Sequence, residues 1–306
     1  MRSAAALVSF VFVCAVAAGA DEALTPKQAV HGEAITAEGV GPGAAGYGSL
    51  KAYAGTTIKN GVAYPFAREI AASATYDGFD IDGPHLLIEG AAFSSSLDIY
   101  TSRTVVLRGV SIRPAAHAHI ALLVRDGAGE VYVLWSDVGA AGSNAVGAAI
   151  AFRGSHAAVH RSLISKAADG VQISASGVMV AENLIETRAA SPGDHNDAIQ
   201  LLGSPKHITI ARNKILNRNP QTSCLYLAGE HIEVRSNYVS GGGWTIYGGA
   251  SNNGKGGAGA SDVAVVDTIF GRDFFEKSGN FGPVTYWNKA NVWRDNRFSD
   301  GVTIAP

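Results

Sequence analysis

A short strand pattern recurs along most of the chain and leaves few possible folds. From about residue 79, alternating apolar residues are followed by a polar or small residue and then by a second apolar pair. The central residues of successive copies lie between 21 and 31 residues apart: Val133, Val159, Val180, Ile210, Val234, Val265 and Val292. Irregular copies of this length, with period-two alternation inside each one, predict a solenoid of short strands. No segment has the sustained helical periodicity of a TIM barrel.

Four asparagines occupy the same place in their copies, at the corner between two apolar strands: Asn183, Asn213, Asn237 and Asn296. Equivalent residues of a parallel β-helix stack about 4.8 Å apart. Stacked asparagines can then form hydrogen bonds along the column and satisfy the backbone of the turn. We therefore predict an all-β, single-domain, right-handed parallel β-helix with an asparagine ladder over residues 79–306. Residues 21–78 are predicted to form a cap of short strands and turns over its first coil, because an open coil would expose edge strands.

Composition excludes several classes of protein. Of the 306 residues, 47% are hydrophobic and only 16% are charged, which excludes a disordered chain and a coiled coil. The 37 glycines are typical of many tight turns between buried strands. A formal net charge of −2 gives no electrostatic footprint for nucleic acid.

The first 20 residues have the pattern of a secretory signal peptide. A basic start is followed by an apolar run from Ala4 to Ala17 and by small residues before Asp21. We expect cleavage near Ala20 and a secreted protein, extracellular or periplasmic, with no membrane association. The remaining chain contains one cysteine, Cys224, so it can form no internal disulfide, and we expect a monomer.

Two motifs resemble the pectate-lyase-like right-handed β-helix proteins. The N-terminal segment Gly39-Val40-Gly41-Pro42-Gly43 and the strand His195-Asn196-Asp197-Ala198-Ile199-Gln200 are similar to segments of secreted bacterial members. This resemblance implies the same fold over about residues 79–300. It also implies an activity on polysaccharides, since the superfamily includes lyases, polygalacturonase-like hydrolases, epimerases and phage depolymerases.

The strand that follows each long loop predicts a polar and aromatic outer face. Asp169–Ile173 aligns with Asp197–Leu201 and Ser223–Leu227, and the next coil continues with Trp244–Gly248. Alternation places four side chains on the outer face: Gln172, Gln200, Tyr226 and Tyr247. This face, with Trp244 at a strand entrance, is suited to binding an extended sugar chain. The alternative is a face that is polar only because it is exposed to solvent.

Basic residues in the preceding loops add positive charge to this face. Lys166 and Arg218 each lie three residues beyond an apolar residue, Leu163 and Ile215, and Arg188 is shifted by one. These cations can bind the carboxylates of a uronic-acid polymer, arginine in a bidentate way. The alternative is ordinary solubilising surface charge.

The densest ionisable cluster of the chain lies beside the same strands. Asp169 and Asp197 are expected on neighbouring coils, and Asp194 and His195 directly precede Asp197. Two carboxylates this close either share a proton or hold a cation, so Asp169, Asp194 and Asp197 are candidate ligands for Ca²⁺, the one cofactor we consider. The pKa of an unperturbed histidine suits general-base catalysis near neutral pH, which makes His195 a candidate base.

Two mechanisms remain open for this cluster. A lyase would use Asp169 and Asp197 to neutralise the uronate carboxylate or to hold a cation. Its base and acid candidates are His195 or Tyr226 as the base and Tyr247 or Lys206 as the acid. A hydrolase would use the two aspartates as its catalytic carboxyls. The strand around Asp197 is similar to a polygalacturonase strand, which implies that Asp197 is one catalytic acid, but the adjacent aspartate pair expected from that family is replaced by Thr222-Ser223.

The sequence therefore predicts a secreted polysaccharide lyase that cleaves an acidic polysaccharide by β-elimination. Two alternatives remain: a glycoside hydrolase that uses Asp169 and Asp197, and a non-catalytic carbohydrate-binding protein on the same scaffold.

Overall fold

Strands of successive coils pair in parallel and build three long sheets along one axis. The computed structural model describes residues 31–115, 118–143, 145–154, 156–189, 194–250 and 259–306, so the predicted signal peptide lies outside the described residues. In these ranges almost every strand pairing is parallel, and each coil adds one strand to each sheet. The prediction of a single-domain parallel β-helix is confirmed.

The back sheet consists of β3 (Ala67–Ile70), β6 (His85–Glu89), β9 (Thr104–Arg108), β12 (Val131–Leu134), β15 (Ala157–His160), β17 (Val178–Ala181), β20 (Lys206–Ala211), β23 (Gly229–Arg235), β26 (Ala260–Val266) and β29 (Val292–Arg294). The ladder sheet follows it in each coil: β1 (Lys51–Tyr53), β7 (Ala91–Phe93), β10 (Ser111–Ile112), β13 (Asp137–Gly139), the first half of β16 (Leu163–Ile173), β18 (Leu184–Thr187), β21 (Lys214–Asn217), β24 (Tyr238–Gly241), β27 (Ile269–Phe270) and β30 (Arg297–Phe298). The wall sheet completes the coil: β2 (Thr57–Lys59), β8 (Leu97–Tyr100), β11 (Ile120–Val124), β14 (Val146–Phe152), the second half of β16, β19 (Asp197–Leu201), β22 (Ser223–Tyr226), β25 (Trp244–Tyr247) and β28 (Gly282–Thr285).

The core lies inside the coils and is made by the inward residues of all three sheets. Six of the predicted central residues stack in register and are fully buried: Val133, Val159, Val180, Ile210, Val234 and Val265. The seventh prediction, Val292, is wrong by one residue. Trp293 pairs with Val265 and faces inward, whereas Val292 is 50% exposed.

The asparagine ladder is present at the corner between the back sheet and the ladder sheet. The Asn213 Oδ1 atom accepts the backbone N–H of Asn183 at 3.0 Å, and the Asn237 Oδ1 atom accepts that of Asn213 at 2.9 Å. The sequence analysis missed that serine and threonine continue the column, at Ser136, Ser162 and Thr268. All ladder side chains are buried, so each one satisfies a turn backbone that water does not reach.

The residue before each of these ladder positions adopts a left-handed backbone conformation. Seven such residues have φ between 48° and 58°: Trp135, Arg161, Glu182, Arg212, Ser236, Asp267 and Asp295. This conformation costs roughly 1–2 kcal/mol for a residue with a Cβ. The ladder hydrogen bonds that follow each of them hold the sharp turn in place.

An N-terminal strap, residues 31–48, lies along the outside of the ladder sheet and runs towards the first coil. It contains two 3-10 turns, Gly32–Ala34 and Ala37–Gly39, and the short helix α1 (Gly41–Ala44). The backbone N–H of Gly32 donates to the Ser236 carbonyl at 2.9 Å, and that of Gly41 donates to the Arg161 carbonyl at 2.9 Å. At the other end the Tyr47 hydroxyl donates to Glu89 at 2.5 Å.

The segment predicted as a cap therefore has several different positions. Residues 21–30 lie outside the described residues, and residues 31–48 run along the side of the coils. Strands β1 and β2 are already part of the parallel sheets. Only β3 covers an edge, since it pairs antiparallel with β6. The hairpin of β4 (Ala74–Tyr76) and β5 (Phe79–Ile81) then covers the apolar outer face of the back sheet.

No helix in the part of the chain that the structure describes is long and apolar enough to cross a membrane.

Candidate functional site

The predicted polar and aromatic face is present on the outside of the wall sheet, and we call it the wall. Gln172 pairs with Gln200, Gln200 with Tyr226, and Tyr226 with Tyr247 in the parallel register. All four side chains are partly exposed, whereas their neighbours Val171, Ile199 and Leu225 are fully buried. The alignment of the four strands is therefore confirmed.

Aromatic rings extend the wall by one further coil. The ring centroids of Tyr226 and Tyr247 lie 6.0 Å apart, and those of Tyr247 and Tyr286 lie 5.8 Å apart. Trp244, at the entrance of β25, packs against Phe281 with centroids 6.3 Å apart. One end of the wall thus consists of partly exposed rings, which are suited to packing against the apolar face of a sugar.

Asp169 and Asp197 stack at the strand entrances, as predicted, but both face away from solvent. The Asp169 carboxylate accepts the backbone N–H of Asp197 at 2.8 Å. Each aspartate also accepts from the glutamine three residues later, Gln172 at 2.7 Å and Gln200 at 3.1 Å. The Ser223 hydroxyl donates to Asp197 at 2.5 Å. Asp169 is 8% exposed and Asp197 is 2% exposed, so the two carboxyls orient the glutamines of the wall from behind.

Burial controls the protonation of this pair. Burial, together with the nearby charge of Asp169, raises the pKa of Asp197 to about 7, against the hydrogen bond from Ser223, which favours the charged form. Burial likewise raises the pKa of Asp169, against the backbone N–H of Asp197 and the Gln172 amide, which stabilise its charged form. Because the charge of Asp169 raises the pKa of Asp197, the two carboxyls titrate as a coupled pair.

The three candidate ligands for Ca²⁺ do not form a metal centre. Within the described ranges, no three histidine, cysteine, aspartate or glutamate side chains are grouped so that they could hold a metal ion. The oxygens of Asp169 and Asp197 already accept hydrogen bonds from protein groups, which leaves few lone pairs for the six to eight oxygen ligands that Ca²⁺ takes. The residues present do not fit a calcium site.

His195 is exposed and lies beside these buried groups. Its neighbours are fixed by two asparagines of the next coil. The Asn219 side-chain amide donates to the Asn196 side chain at 2.5 Å and to the Asp194 carbonyl at 3.3 Å, and the Asn217 amide donates to the Asn196 carbonyl at 2.8 Å. The backbone on both sides of His195 is therefore held while its imidazole faces solvent.

The predicted basic residues come together in one cleft, at the corner between the ladder sheet and the wall sheet. The cleft has a volume of about 900 Å³. Its lining includes Lys166, Arg188 and Arg218, together with Phe274 and Asn219. The Arg218 guanidinium lies over the Phe274 ring, 5.1 Å from its centroid. Since Asn219 also binds the segment around His195, the cleft and the histidine are neighbours on the surface.

The three cations of this basic cleft form no ion pair with any residue that the structure describes, although Glu186 lines the same cleft. Three cations in one concave surface attract an anionic ligand.

The predicted register of the three cations is wrong by one residue. Ile164, not Leu163, is equivalent to Ile215, because Leu163 faces outward next to the strap residues Ile35 and Val40. Thr187 pairs with Asn217, so Arg188 and Arg218 follow equivalent residues of neighbouring coils. Lys166 is the shifted one: it forms a bulge between Ser165 and Ala167, with φ at 54°.

Lys206 lies away from the cluster. It begins β20 in the back sheet, and its ammonium group pairs with Glu230 at 2.8 Å. The turn at residues 202–205 has by then carried the chain off the wall sheet.

Three groups that shape the site were not predicted. Asn219 and Phe274 come from loops of irregular length, which no repeat aligns. The Arg153 guanidinium donates to the Gln172 amide oxygen at 2.5 Å. Arg153 lies two residues beyond the β14 residue that pairs with Gln172, and this position in the repeat could have identified it.

Comparisons with known proteins add little to this geometry. No family model matches the chain, and no curated protein matches it. Among solved structures, the crystal structure of the Dettilon tailspike protein is similar at 14% sequence identity and a TM-score of 0.34, covering 61% of this chain and 41% of that chain. The chain thus spans less than half the length of that structure, and the fold assignment rests on the strand register described above.

Proposed function

We propose that the protein is secreted, binds a uronic-acid-containing polysaccharide and cleaves it by β-elimination. The observation that carries the proposal is the basic cleft, where Lys166, Arg188 and Arg218 have no acidic partner among the described residues. Arginine binds carboxylates in a bidentate way, and the adjoining wall offers amides and rings to the sugars. A chain of acidic sugars matches both surfaces.

The position of His195 supports the elimination chemistry. In β-elimination a base takes the proton on the carbon next to the uronate carboxylate, and that electron pair forms a carbon–carbon double bond as the neighbouring carbon–oxygen bond breaks. In the proposed reaction the exposed imidazole of His195 takes this proton. Arg188 or Arg218 pairs with the carboxylate and stabilises the negative charge that develops there.

Tyr247 is suited to the role of the acid. Burial raises the pKa of its phenol, and the charge of Asp197 raises it further, so the phenol keeps its proton at neutral pH. It can then protonate the leaving oxygen.

The burial of the aspartate pair weighs against the hydrolase. A glycosidase needs two carboxyls that flank the glycosidic bond, one as the acid and the other as the nucleophile or as the base that activates a water. Asp197 is 2% exposed and lies behind Gln200, so neither its acid nor its carboxylate form meets a substrate oxygen without a rearrangement of the strand entrance.

Ultraviolet absorbance tests the proposal. The protein without residues 1–20 is incubated with polygalacturonate, alginate, glucuronan and glycosaminoglycans, each with calcium and with a chelator. We expect a rise in absorbance from a conjugated unsaturated uronate on at least one polymer, with or without calcium. A flat trace with new reducing ends would instead select a hydrolase, and binding without cleavage would select a carbohydrate-binding protein.

A histidine substitution tests the proposed base. We expect His195→Asn to lower kcat by about 10²- to 10⁴-fold, the usual contribution of a general base, with little change in binding. His119, an exposed histidine before β11 at the same corner of an earlier coil, provides the control. An unchanged kcat in His195→Asn, or an equal loss in His119→Asn, would contradict the assignment.

A further inference from the structure

Each buried aspartate at the strand entrances divides its two carboxyl oxygens between different partners. In Asp169, Oδ1 accepts the backbone N–H of Asp197 at 2.8 Å, and Oδ2 accepts the Gln172 side-chain amide at 2.7 Å. In Asp197, Oδ1 accepts the Ser223 hydroxyl at 2.5 Å, and Oδ2 accepts the Gln200 amide at 3.1 Å. The same arrangement therefore recurs on two neighbouring coils, with one oxygen bound to the next coil and the other turned towards a wall glutamine.

These bonds fix which end of each glutamine amide points back towards the protein. A carboxylate only accepts hydrogen bonds, so it holds the amide nitrogen and leaves the amide oxygen on the other side. The Gln172 oxygen accepts from Arg153 at 2.5 Å. In the next coil Ser174 takes the place of Arg153, and its hydroxyl donates to the Phe152 carbonyl instead. The partly exposed Gln200 oxygen therefore accepts from no residue that the structure describes.

We infer that Gln200 determines specificity by presenting its amide oxygen to a free hydroxyl of the bound sugar, with Asp197 as the residue that sets this orientation. The inference deepens the proposed function and rests on the binding of a polysaccharide along the wall. A sugar hydroxyl can donate to this oxygen, whereas an ether or an ester at the same position has no proton to donate. The wall thus favours a chain whose hydroxyl is unsubstituted at this coil.

Replacement of Asp197 by asparagine is expected to turn the Gln200 amide over. The hydroxyl and the backbone N–H of Ser223 both donate to the Asp197 carboxyl group, so an asparagine keeps its oxygen on that side. Its amide nitrogen then faces Gln200, and two amide nitrogens cannot bind each other because both are donors. Gln200 therefore turns its oxygen inward and presents N–H groups to the ligand. An ether oxygen can accept from these groups, so a methylated sugar loses its disadvantage.

Calorimetry with matched hexasaccharides tests the inference at pH 8.5, where Asp197 is ionised because its pKa is about 7. The probes are oligogalacturonate, oligomannuronate and oligoglucuronate, each unmodified, methylated on O2 or methylated on O3. All proteins carry His195→Asn, so that the probes are not cleaved. We expect at least one unmodified probe to bind about fivefold or more tightly than a methylated form, the factor that one hydrogen bond supplies. Asp197→Asn and Gln200→Ala are each expected to remove this preference.

Asp98→Asn provides the matched control. Asp98 lies in β8 of the same sheet and pairs with Arg125 instead of a glutamine, so this variant should keep the preference. The bulk of the methyl group is the same for every protein, so a difference between variants reports the hydrogen bond. Nuclear magnetic resonance of the unliganded protein checks the orientation separately. One amide proton of Gln200 should be shifted downfield by the Asp197 carboxylate, and this shift should disappear in Asp197→Asn.

The outcomes separate the inference from the proposed function. If methylated and unmodified probes bind equally well, or if the preference persists in Gln200→Ala or in Asp197→Asn, the inference is overturned while polysaccharide binding stands. An unshifted Gln200 amide proton in the parent protein would also overturn it, even if a polymer is cleaved. If no probe binds, the inference is overturned as well, and the absorbance assay decides the proposed function separately.

Discussion

Asp197 is a buried acid, and its burial in the fold opposes the ionisation of its carboxyl group. Burial raises its pKa from 3.8 to about 7, so between these two values the folded protein holds a proton that the unfolded chain has released. The free energy of unfolding therefore falls as the pH rises across this interval, by an amount on the order of 4 kcal/mol from this group alone.

We expect Asp197→Asn to remove most of this dependence. The side chain keeps its shape, its amide oxygen can still accept the hydrogen bond from Ser223, and it carries no charge to desolvate. The variant should be more stable than the parent protein at pH 8 and nearly equal to it at pH 4. Denaturant unfolding across this pH range measures the effect, and a variant that is less stable at pH 8 would show that the carboxylate itself is needed.

Residue patterns predicted this part of the site only to a limited extent. Alternation places Gln200 outward and Ile199 inward, because the period of a strand is fixed by its backbone. The same reasoning cannot show that Asp197 turns behind Gln200, since the strand entrance bends at a corner. The depth of burial, which decides between a catalytic and a supporting carboxyl, depends on neighbours from other coils.

At the scale of the structural element, the ladder turns depend on asparagine hydrogen bonds. Asn213 accepts from the backbone and the side chain of Asn183 and donates to Asn237 and to the Val180 carbonyl. We expect Asn213→Ala to lower the free energy of unfolding by about 3 kcal/mol or more, because it leaves buried donors unpaired.

Serine at the same position should be tolerated better. Ser162 and Ser136 already continue the column, with the Ser162 hydroxyl accepting the Ser136 backbone N–H at 3.0 Å. Asn213→Ser is therefore expected to lose less stability than Asn213→Ala in denaturant unfolding, and the exposed Asn280→Ala is expected to lose little. Equal losses for alanine and serine would contradict the hydrogen-bond explanation.

Contact with the strap makes the replacement of one corner glycine destabilising. Gly109 has φ at 58°, and a Cβ there would lie 2.2 Å from the ring of Tyr47. Gly127 has φ at 76° with open space around it, so alanine costs only the backbone strain of roughly 1–2 kcal/mol. We expect Gly109→Ala to be clearly more destabilising than Gly127→Ala in thermal unfolding, and equal effects would show that Tyr47 moves aside freely.

The elements differ in how well the sequence predicts them. Ladder and strand registers follow from a repeat that aligns every coil, so Val133, Val159 and Val180 were placed correctly. The shift of Lys166 was missed because a bulge inserts a residue without changing the apolar pattern. The strap was included in the predicted cap. Its true position was missed because its contacts with Arg161 and Ser236 are far apart in sequence and leave no periodic signal.

At the scale of the whole molecule, the charge distribution matters more than the net charge of −2. The basic cleft concentrates three cations on one corner of the coils. A polyanion that binds there releases counterions, so its affinity falls as salt rises.

We expect this salt dependence to record the number of cations engaged. In a plot of log affinity for polygalacturonate against log salt concentration, each of Lys166→Gln, Arg188→Gln and Arg218→Gln should reduce the slope by a similar amount, about one unit or less. Arg294→Gln serves as the control, since Arg294 lies on the back sheet. Slopes that do not change in any of the three variants would place polymer binding elsewhere.

The contacts of the strap also constrain the order in which parts of the chain can fold. Residue 32 binds the backbone of residue 236, which is synthesised 204 residues later. The part of the strap around Gly41 needs only the coil that contains Arg161, whereas Gly32 cannot bind until the coil that contains Ser236 has formed. Docking of the Gly32 end is thus a late step, and a chain truncated before residue 236 would lack the carbonyl that this end binds.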